Sequence, residues 1–158
     1  MNYSTSNTEL QLFQQAGLFK SGDYNYSEIA NSFLSGGYTS AMGNTYFNSV
    51  WFVDGLAILA NIGQGYAYTF LNGLKIINLA DKEVVSYECY NCHYYSKDTV
   101  IADTVRQLAH SIIESAQKKG IRVNCNDVVQ KVQSKIIDGF NSDQRYMLQA
   151  NSQKFIKA

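Results

Sequence analysis

The sequence predicts an α+β domain: an antiparallel β-meander of about four or five strands, roughly residues 47–90, with a short N-terminal helix pair and two or three C-terminal helices packed on it. Apolar runs alternate with turn residues in the middle of the chain, whereas apolar residues recur with a helical period on either side. The length of 158 residues suits one domain with its own core. We therefore expect residues 1–158 to form a single domain.

The N-terminal helix pair is predicted from two capping patterns. Thr8, followed three residues later by Gln11, fits a capping box that opens an amphipathic helix. The polar residues 1–7 before it are expected to be a flexible tail. Ser27 is expected to cap a second helix, and the glycines at 36–37 to end it.

The meander is predicted from four turn signals, which are Asp54-Gly55, Gly63-Gln64-Gly65, Asn72-Gly73 and Ala80-Asp81-Lys82. Between them lie apolar runs with the length and residue types of strands. The strands that this punctuation predicts are 47–53, 56–62, 66–71, 74–79 and 84–90.

The C-terminal third is predicted to be helical. A long amphipathic helix begins near Lys97 and is expected to end at Gly120. A further helix is predicted from about Asn126 to Gly139, where a left-handed glycine would close it. Ser142 is expected to cap a last helix, whose apolar positions are Tyr146, Leu148 and Phe155.

Composition excludes several classes of function. Thirteen basic residues balance 13 acidic ones, so the chain has no excess positive charge with which to hold a nucleic acid. No apolar run approaches the length of a membrane span, and the N-terminus lacks the pattern of a secretory signal. We therefore expect a cytoplasmic protein that binds neither nucleic acid nor membrane, unless an export signal was removed or a non-cleaved secretion route is used. The asparagine-rich, proline-free composition suits a small bacterial or phage accessory protein.

Catalytic sequence motifs are missing. The chain contains no nucleophile elbow, phosphate loop, dinucleotide fingerprint or metalloprotease helix. Most of its carboxylates fall in predicted turns or at helix starts, where capping and turn chemistry explain them. These features favour a non-enzymatic protein.

The segment Cys89-Tyr90-Asn91-Cys92-His93 has the spacing of a c-type haem attachment site. Cys89, Cys92, His93 and Cys125 could instead hold zinc, and a dithiol redox site is a third alternative. In the interpretation without chemistry, Cys89 is a small core residue, while Cys92 and His93 lie in a loop. Because buried, unreactive cysteines are common, we expect no cofactor, with zinc or haem as the alternatives. The other histidine, His110, falls on the solvated face of its helix.

Aromatic residues supply the candidate binding surface. Tyr66, Tyr68 and Phe70 alternate onto one face of a predicted strand. Covered by helices, that face would be core, whereas exposed it would be a platform for a partner. A second group forms a candidate contact edge and consists of Tyr87, Tyr90, Tyr94 and Tyr95. We predict an inhibitor, immunity factor, adaptor or effector that binds another protein through this tyrosine-rich surface, and homodimerisation is compatible with it.

Overall fold

The computed structural model of the protein describes residues 2–20, 22–34, 47–142, 145–148 and 155–157. It confirms the predicted α+β class. The helices are α1 (Asn2–Ala16), α2 (Tyr26–Leu34), α3 (Lys97–Lys118) and α4 (Cys125–Asn141). The strands are β1 (Ser49–Val53), β2 (Leu56–Gln64), β3 (Thr69–Asn78), β4 (Val84–Tyr94), β5 (Arg145–Leu148) and β6 (Phe155–Lys157).

The six strands form one antiparallel sheet in the order β4-β3-β2-β1-β5-β6. The first four strands are the predicted meander. The turn between β1 and β2 lies at Asp54 and Gly55, as predicted. β4 is the edge strand on one side of this sheet, and the short β6 is the edge strand on the other.

Two hydrophobic cores cover the two faces of the sheet. On the three-helix face, α1, α3 and α4 contribute residues such as Phe13, Leu108 and Ile136. On the α2 face, Phe33 and Leu34 of α2 pack over the middle of the sheet. The central strand β1 is buried along its whole length, which explains its continuous apolar run.

Strand β3 is one strand, whereas two were predicted. It runs from Thr69 to Asn78 through the Asn72-Gly73 pair, which was wrongly predicted to be a hairpin turn. β2 and β4 pair with it on both sides, and the register shifts near Asn72, so the pair forms a bulge in the ladder. The turn between β2 and β3 lies further along than predicted, since β2 extends to Gln64 and Gly65 N donates to Tyr68 O at 2.8 Å.

The predicted last helix is wrong. Its first part is β5, which pairs with the edge of β1 so that Met147 lies opposite Ser49. Tyr146 is buried and its ring lies 5.6 Å from that of Phe52 on the α2 face. The free edge of β1 therefore decided the structure of this weakly periodic segment.

Helix starts also differ from the predictions. α1 begins at Asn2, ahead of the Thr8 capping box. The cap of α2 is Asn25, whose Oδ1 accepts from Glu28 N, and Ser27 lies inside the helix. The glycines at 36–37, predicted to end α2, lie outside the described residues. α3 ends as predicted before Gly120, which has a φ of 68°.

Gly139 does not end α4, because the helix continues to Asn141. A Cβ atom at this position would lie 2.3 Å from Val53 Cγ2. The glycine therefore allows α4 to approach β1 closely. The need for close packing, and not for a left-handed conformation, explains why a glycine stands at position 139.

Candidate functional site: an exposed tyrosine patch

The tyrosine patch, which consists of Tyr66, Tyr68, Phe70 and Tyr94, lies at the end of the sheet where β2 turns into β3. Tyr66 is fully exposed in this turn. A Cβ atom at Gly65 would lie 2.4 Å from Phe70 Cε2, so the absence of a side chain there lets the Phe70 ring pack against the turn. Local sequence thus brings the rings of the patch together.

Strand pairing completes the tyrosine patch. Phe70 of β3 lies directly opposite Tyr94 of β4. The Tyr68 ring lies 4.9 Å from that of Phe70 and 5.4 Å from that of Tyr94. These are contact distances for aromatic pairs, yet Tyr68 and Tyr94 remain 49% and 60% exposed. The rings therefore pack against each other and still present a surface to solvent.

Tyr87 lies on the α2 face of β4, but away from the tyrosine patch. Its ring contacts Phe47 at 5.8 Å, and Lys75 Nζ lies 5.4 Å from the ring centre. A hydrogen bond of 3.0 Å joins Cys89 Sγ and Tyr87 Oη. This hydrogen bond, with burial, raises the pKa of Tyr87 to about 12. Tyr87 and Tyr94 lie opposite Lys75 and Phe70, which are five residues apart in β3, so the two tyrosines stand about 16 Å apart along the sheet.

Tyr90 and Tyr95 belong to the three-helix face. Tyr90 Oη accepts from Gln107 Nε2 at 2.8 Å, and its ring lies 4.7 Å from that of His93. Burial, followed by the charge of Asp103, raises the pKa of Tyr90 to about 12. Tyr95 is partly buried against the same core. The seven predicted aromatic residues therefore fall into three places. Four of them lie at one end of the sheet, and of these Tyr66, Tyr68 and Tyr94 are exposed.

The cysteine and histidine motif is a bulge in β4. Cys89 lies opposite Gly73 and His93 lies opposite Leu71, so three residues of β4 stand against Asn72 alone. The bulge directs Cys89 towards Tyr87 on the α2 face and His93 towards Asp103 of α3 on the three-helix face.

Cys89 is exposed, so its predicted place in the core is wrong. It lies on an edge strand, and the described contacts of α2 are with β1 and β5 instead of β4. Since Cys89 and His93 point to opposite faces, the structure does not bring these two predicted ligands together.

Cys125, the fourth predicted metal ligand, is also distant from His93. It opens α4, which follows the C-terminal end of α3, whereas His93 contacts Asp103 near the start of α3. About 22 Å of helix separates Asp103 from Lys118. Among the described side chains, which do not include that of Cys92, no three metal-binding residues form a group that could hold an ion.

An ionic network that the sequence did not reveal connects β4 to α3. Arg106 donates to both carboxylate oxygens of Glu88, at 2.6 and 3.0 Å, and its Nε lies 3.6 Å from Asp103 Oδ1. The Arg106 hydrogen bond lowers the pKa of Glu88. The helical period of α3 did not predict this network, because only the tertiary structure places β4 beside α3. His110 is exposed as predicted, with its Nε2 3.8 Å from Glu114.

A groove of about 230 Å³ runs between β4 and α3. Its polar groups are engaged with each other: Ser86 donates to Gln107 Oε1, and Glu88 is paired with Arg106. These side chains therefore stabilise the contact of the strand with the helix.

Comparison of the chain with protein-family models, with curated proteins and with solved structures gave no match. In the part of the chain that the structure describes, no helix is long and apolar enough to span a membrane. Inferences about function therefore rest on the side chains and their geometry.

Proposed function

We propose that this protein is a non-enzymatic interaction protein, of the inhibitor, immunity, adaptor or effector type, that binds a partner protein through the tyrosine patch. One observation supports this most directly. Tyr66 is fully exposed and about half of the surface of Tyr68 and Tyr94 is exposed, although the rings of Tyr68 and Tyr94 contact each other. Aromatic side chains that cluster on a surface expose apolar area that a partner can cover.

Tyrosine suits a protein interface. It combines a large contact area with a hydroxyl that forms hydrogen bonds. Because its side chain has few rotatable bonds, it loses little conformational entropy when it is ordered in an interface. The Tyr68, Phe70 and Tyr94 rings contact one another and stand on β3, β4 and the tight turn before β3, so these three rings are ordered before binding. Preformed aromatic anchors of this kind often dominate binding energy.

Charge favours a protein over a nucleic acid as the partner. Surfaces that stack bases combine aromatic rings with a positively charged groove. The two segments that carry the patch, 61–74 and 89–96, contain neither lysine nor arginine. Within the described residues, no cation–π contact involves a ring of the patch.

The test compares a Tyr68→Ala/Tyr94→Ala double variant with the wild-type protein and with a matched control, Tyr87→Ala. Tyr87 is also 49% exposed and lies on β4, but outside the patch. Each protein is used as bait in an extract of the native cells, and a partner that the wild type retains is then purified and titrated. We expect about tenfold or weaker binding for the double variant and unchanged binding for the control.

Equal affinity of the wild type and the double variant for every retained partner would overturn the proposal. Loss of binding in the control alone would also overturn it, because the interface would then lie at Tyr87. Sedimentation of the bait proteins alone tests a second copy as partner: a dimer that the double variant cannot form would support the proposal. Emission of the single tryptophan, Trp51, which is 3% exposed, checks that each variant is folded.

A further inference from the structure

Arg145, at the start of β5, has few partners for a partly buried arginine. It lies opposite Trp51 of β1, and its Nη2 donates to Ser49 Oγ at 2.9 Å. Among the described residues, Ser49 is the one that accepts a hydrogen bond from the guanidinium. Its Nε is shielded from solvent and has no acceptor. A guanidinium carries five N–H donors, of which the described residues engage one through this hydrogen bond.

The charge of Arg145 is also uncompensated within the described part of the chain. Ion pairs there engage Arg106 with Glu88 and Asp103, but none reaches Arg145 within 4.0 Å. A partly buried cation without a counter-charge is destabilising, because it loses hydration and gains no ionic partner. An anion that binds there would supply the counter-charge that the described residues do not.

Two aromatic rings hold the Arg145 guanidinium. Its Cζ lies 5.2 Å from the centre of the Trp51 ring and 6.0 Å from that of Tyr95. The Trp51 ring is itself stacked on Phe140 of α4 at 5.0 Å. Rings that contact the face of a guanidinium leave its N–H donors at the edge, which is where bidentate oxyanions bind.

Tyr95, one of the two rings beside Arg145, lies next to the start of α3. Tyr95 immediately precedes the N-cap Ser96 and the 22-residue α3, whose N-terminus carries a partial positive charge. Lys97 is the first helical residue, and Asp98 is the acidic residue of the first turn.

We propose that Arg145 is the anchor of a binding site for an oxyanion, either a carboxylate or a phosphate group, with Trp51 and Tyr95 as its aromatic walls and Ser49 as its positioning hydroxyl. The site is on the three-helix face and does not depend on the tyrosine patch. It would hold a small anionic ligand or an anionic group of a larger one.

The test is a titration of the ¹⁵N-labelled wild-type protein with sodium phosphate and, separately, with sodium acetate, at constant ionic strength maintained with chloride. The probe is the Nε–H resonance of Arg145, assigned by through-bond experiments. The matched control is the exposed Arg122 in the same spectrum. We expect a saturable shift of the Arg145 resonance with at least one anion, while that of Arg122 moves little. A stronger response to phosphate or to acetate then shows whether the site prefers a phosphate group or a carboxylate.

Arg145→Gln keeps a polar side chain and removes the charge. We expect this variant to bind the effective anion about tenfold more weakly, as followed by backbone amide shifts of residues 49–51, and Arg122→Gln to bind as the wild type does. Equal, non-saturating shifts of Arg145 and Arg122 with both anions in the wild-type protein would overturn the proposal. That outcome needs no variant, so the test holds even if Arg145→Gln does not fold.

Discussion

His93 Nε2 lies 3.3 Å from Asp103 Oδ2, and this contact joins the bulge of β4 to α3. Asp103 Oδ2 is buried and accepts no hydrogen bond from the described residues, while the Arg106 guanidinium lies 3.6 Å from the other carboxylate oxygen, Oδ1. The bulge therefore has a structural consequence, since it brings His93 to the three-helix face.

His93→Ala should loosen the β4 bulge while the rest of the fold stays intact. The His93 side chain is 40% exposed, so we expect the free energy of unfolding to fall by less than about 1 kcal/mol. Hydrogen exchange measured by mass spectrometry should nevertheless accelerate in residues 88–95. The control is His110→Ala, which removes a 75% exposed side chain and should leave that segment unchanged. Identical exchange in the two variants would contradict the role assigned to His93.

Gly139→Ala should destabilise the protein through the contact of α4 with β1. The added Cβ would lie 2.3 Å from Val53 Cγ2, so we expect a loss of about 1–3 kcal/mol in urea unfolding. Gly73→Ala is the control, because the atom nearest to its added Cβ would be Glu88 O at 3.5 Å, an ordinary contact distance. On a Val53→Ala background the Gly139→Ala penalty should shrink. A penalty that is the same on both backgrounds would show that the clash is not with Val53.

Two tyrosines should ionise late in alkali. The pKa values of Tyr87 and Tyr90 are raised from 10.0 to about 12, so the unfolded chain loses these protons first. Their contribution to stability is therefore present below pH 10 and is lost as the pH rises towards 12. In an absorbance titration, Tyr90→Phe should remove part of the late phase. Cys89→Ala should lower the pKa of Tyr87 and leave that of Tyr90 unchanged, since the hydrogen bond with Cys89 is the largest cause of the raised pKa of Tyr87. A late phase unaltered by both substitutions would refute this assignment.

Purified protein should contain no stoichiometric zinc, iron or haem. Cys89 and His93 point to opposite faces of β4, and Cys125 lies near the far end of α3. Elemental analysis and an absorption spectrum on protein prepared without chelators measure all three at once. Stoichiometric metal that Cys92→Ser removes, with Cys125→Ser as the control, would instead establish a site at the motif.

The candidate site was only partly predictable from sequence. Alternation along a predicted strand grouped Tyr66, Tyr68 and Phe70. In the structure Tyr66 and Tyr68 lie in the turn before β3, so the tight turn at Gly65, and not strand alternation, brings them to this end of the sheet. Alternation could not separate Tyr90 from Tyr94, because the bulge between them changes which face each side chain takes. Arg145 carried no signal at all, since its partners Ser49 and Trp51 are almost 100 residues away in the chain.

By itself, the sequence determined the α+β class, an antiparallel meander in the middle of the chain and the two long C-terminal helices, because apolar period and local turn chemistry act over a few residues. Only the tertiary structure decided that Asn72 and Gly73 form a bulge, that residues 145–148 form a strand and that Gly139 lies inside a helix. In each case a neighbouring element supplied the deciding interaction: strands on both sides of β3, the open edge of β1 for β5, and the Val53 side chain against α4. Backbone pairing and close packing between distant segments outweigh local propensity, and they are not encoded in any short stretch of the chain.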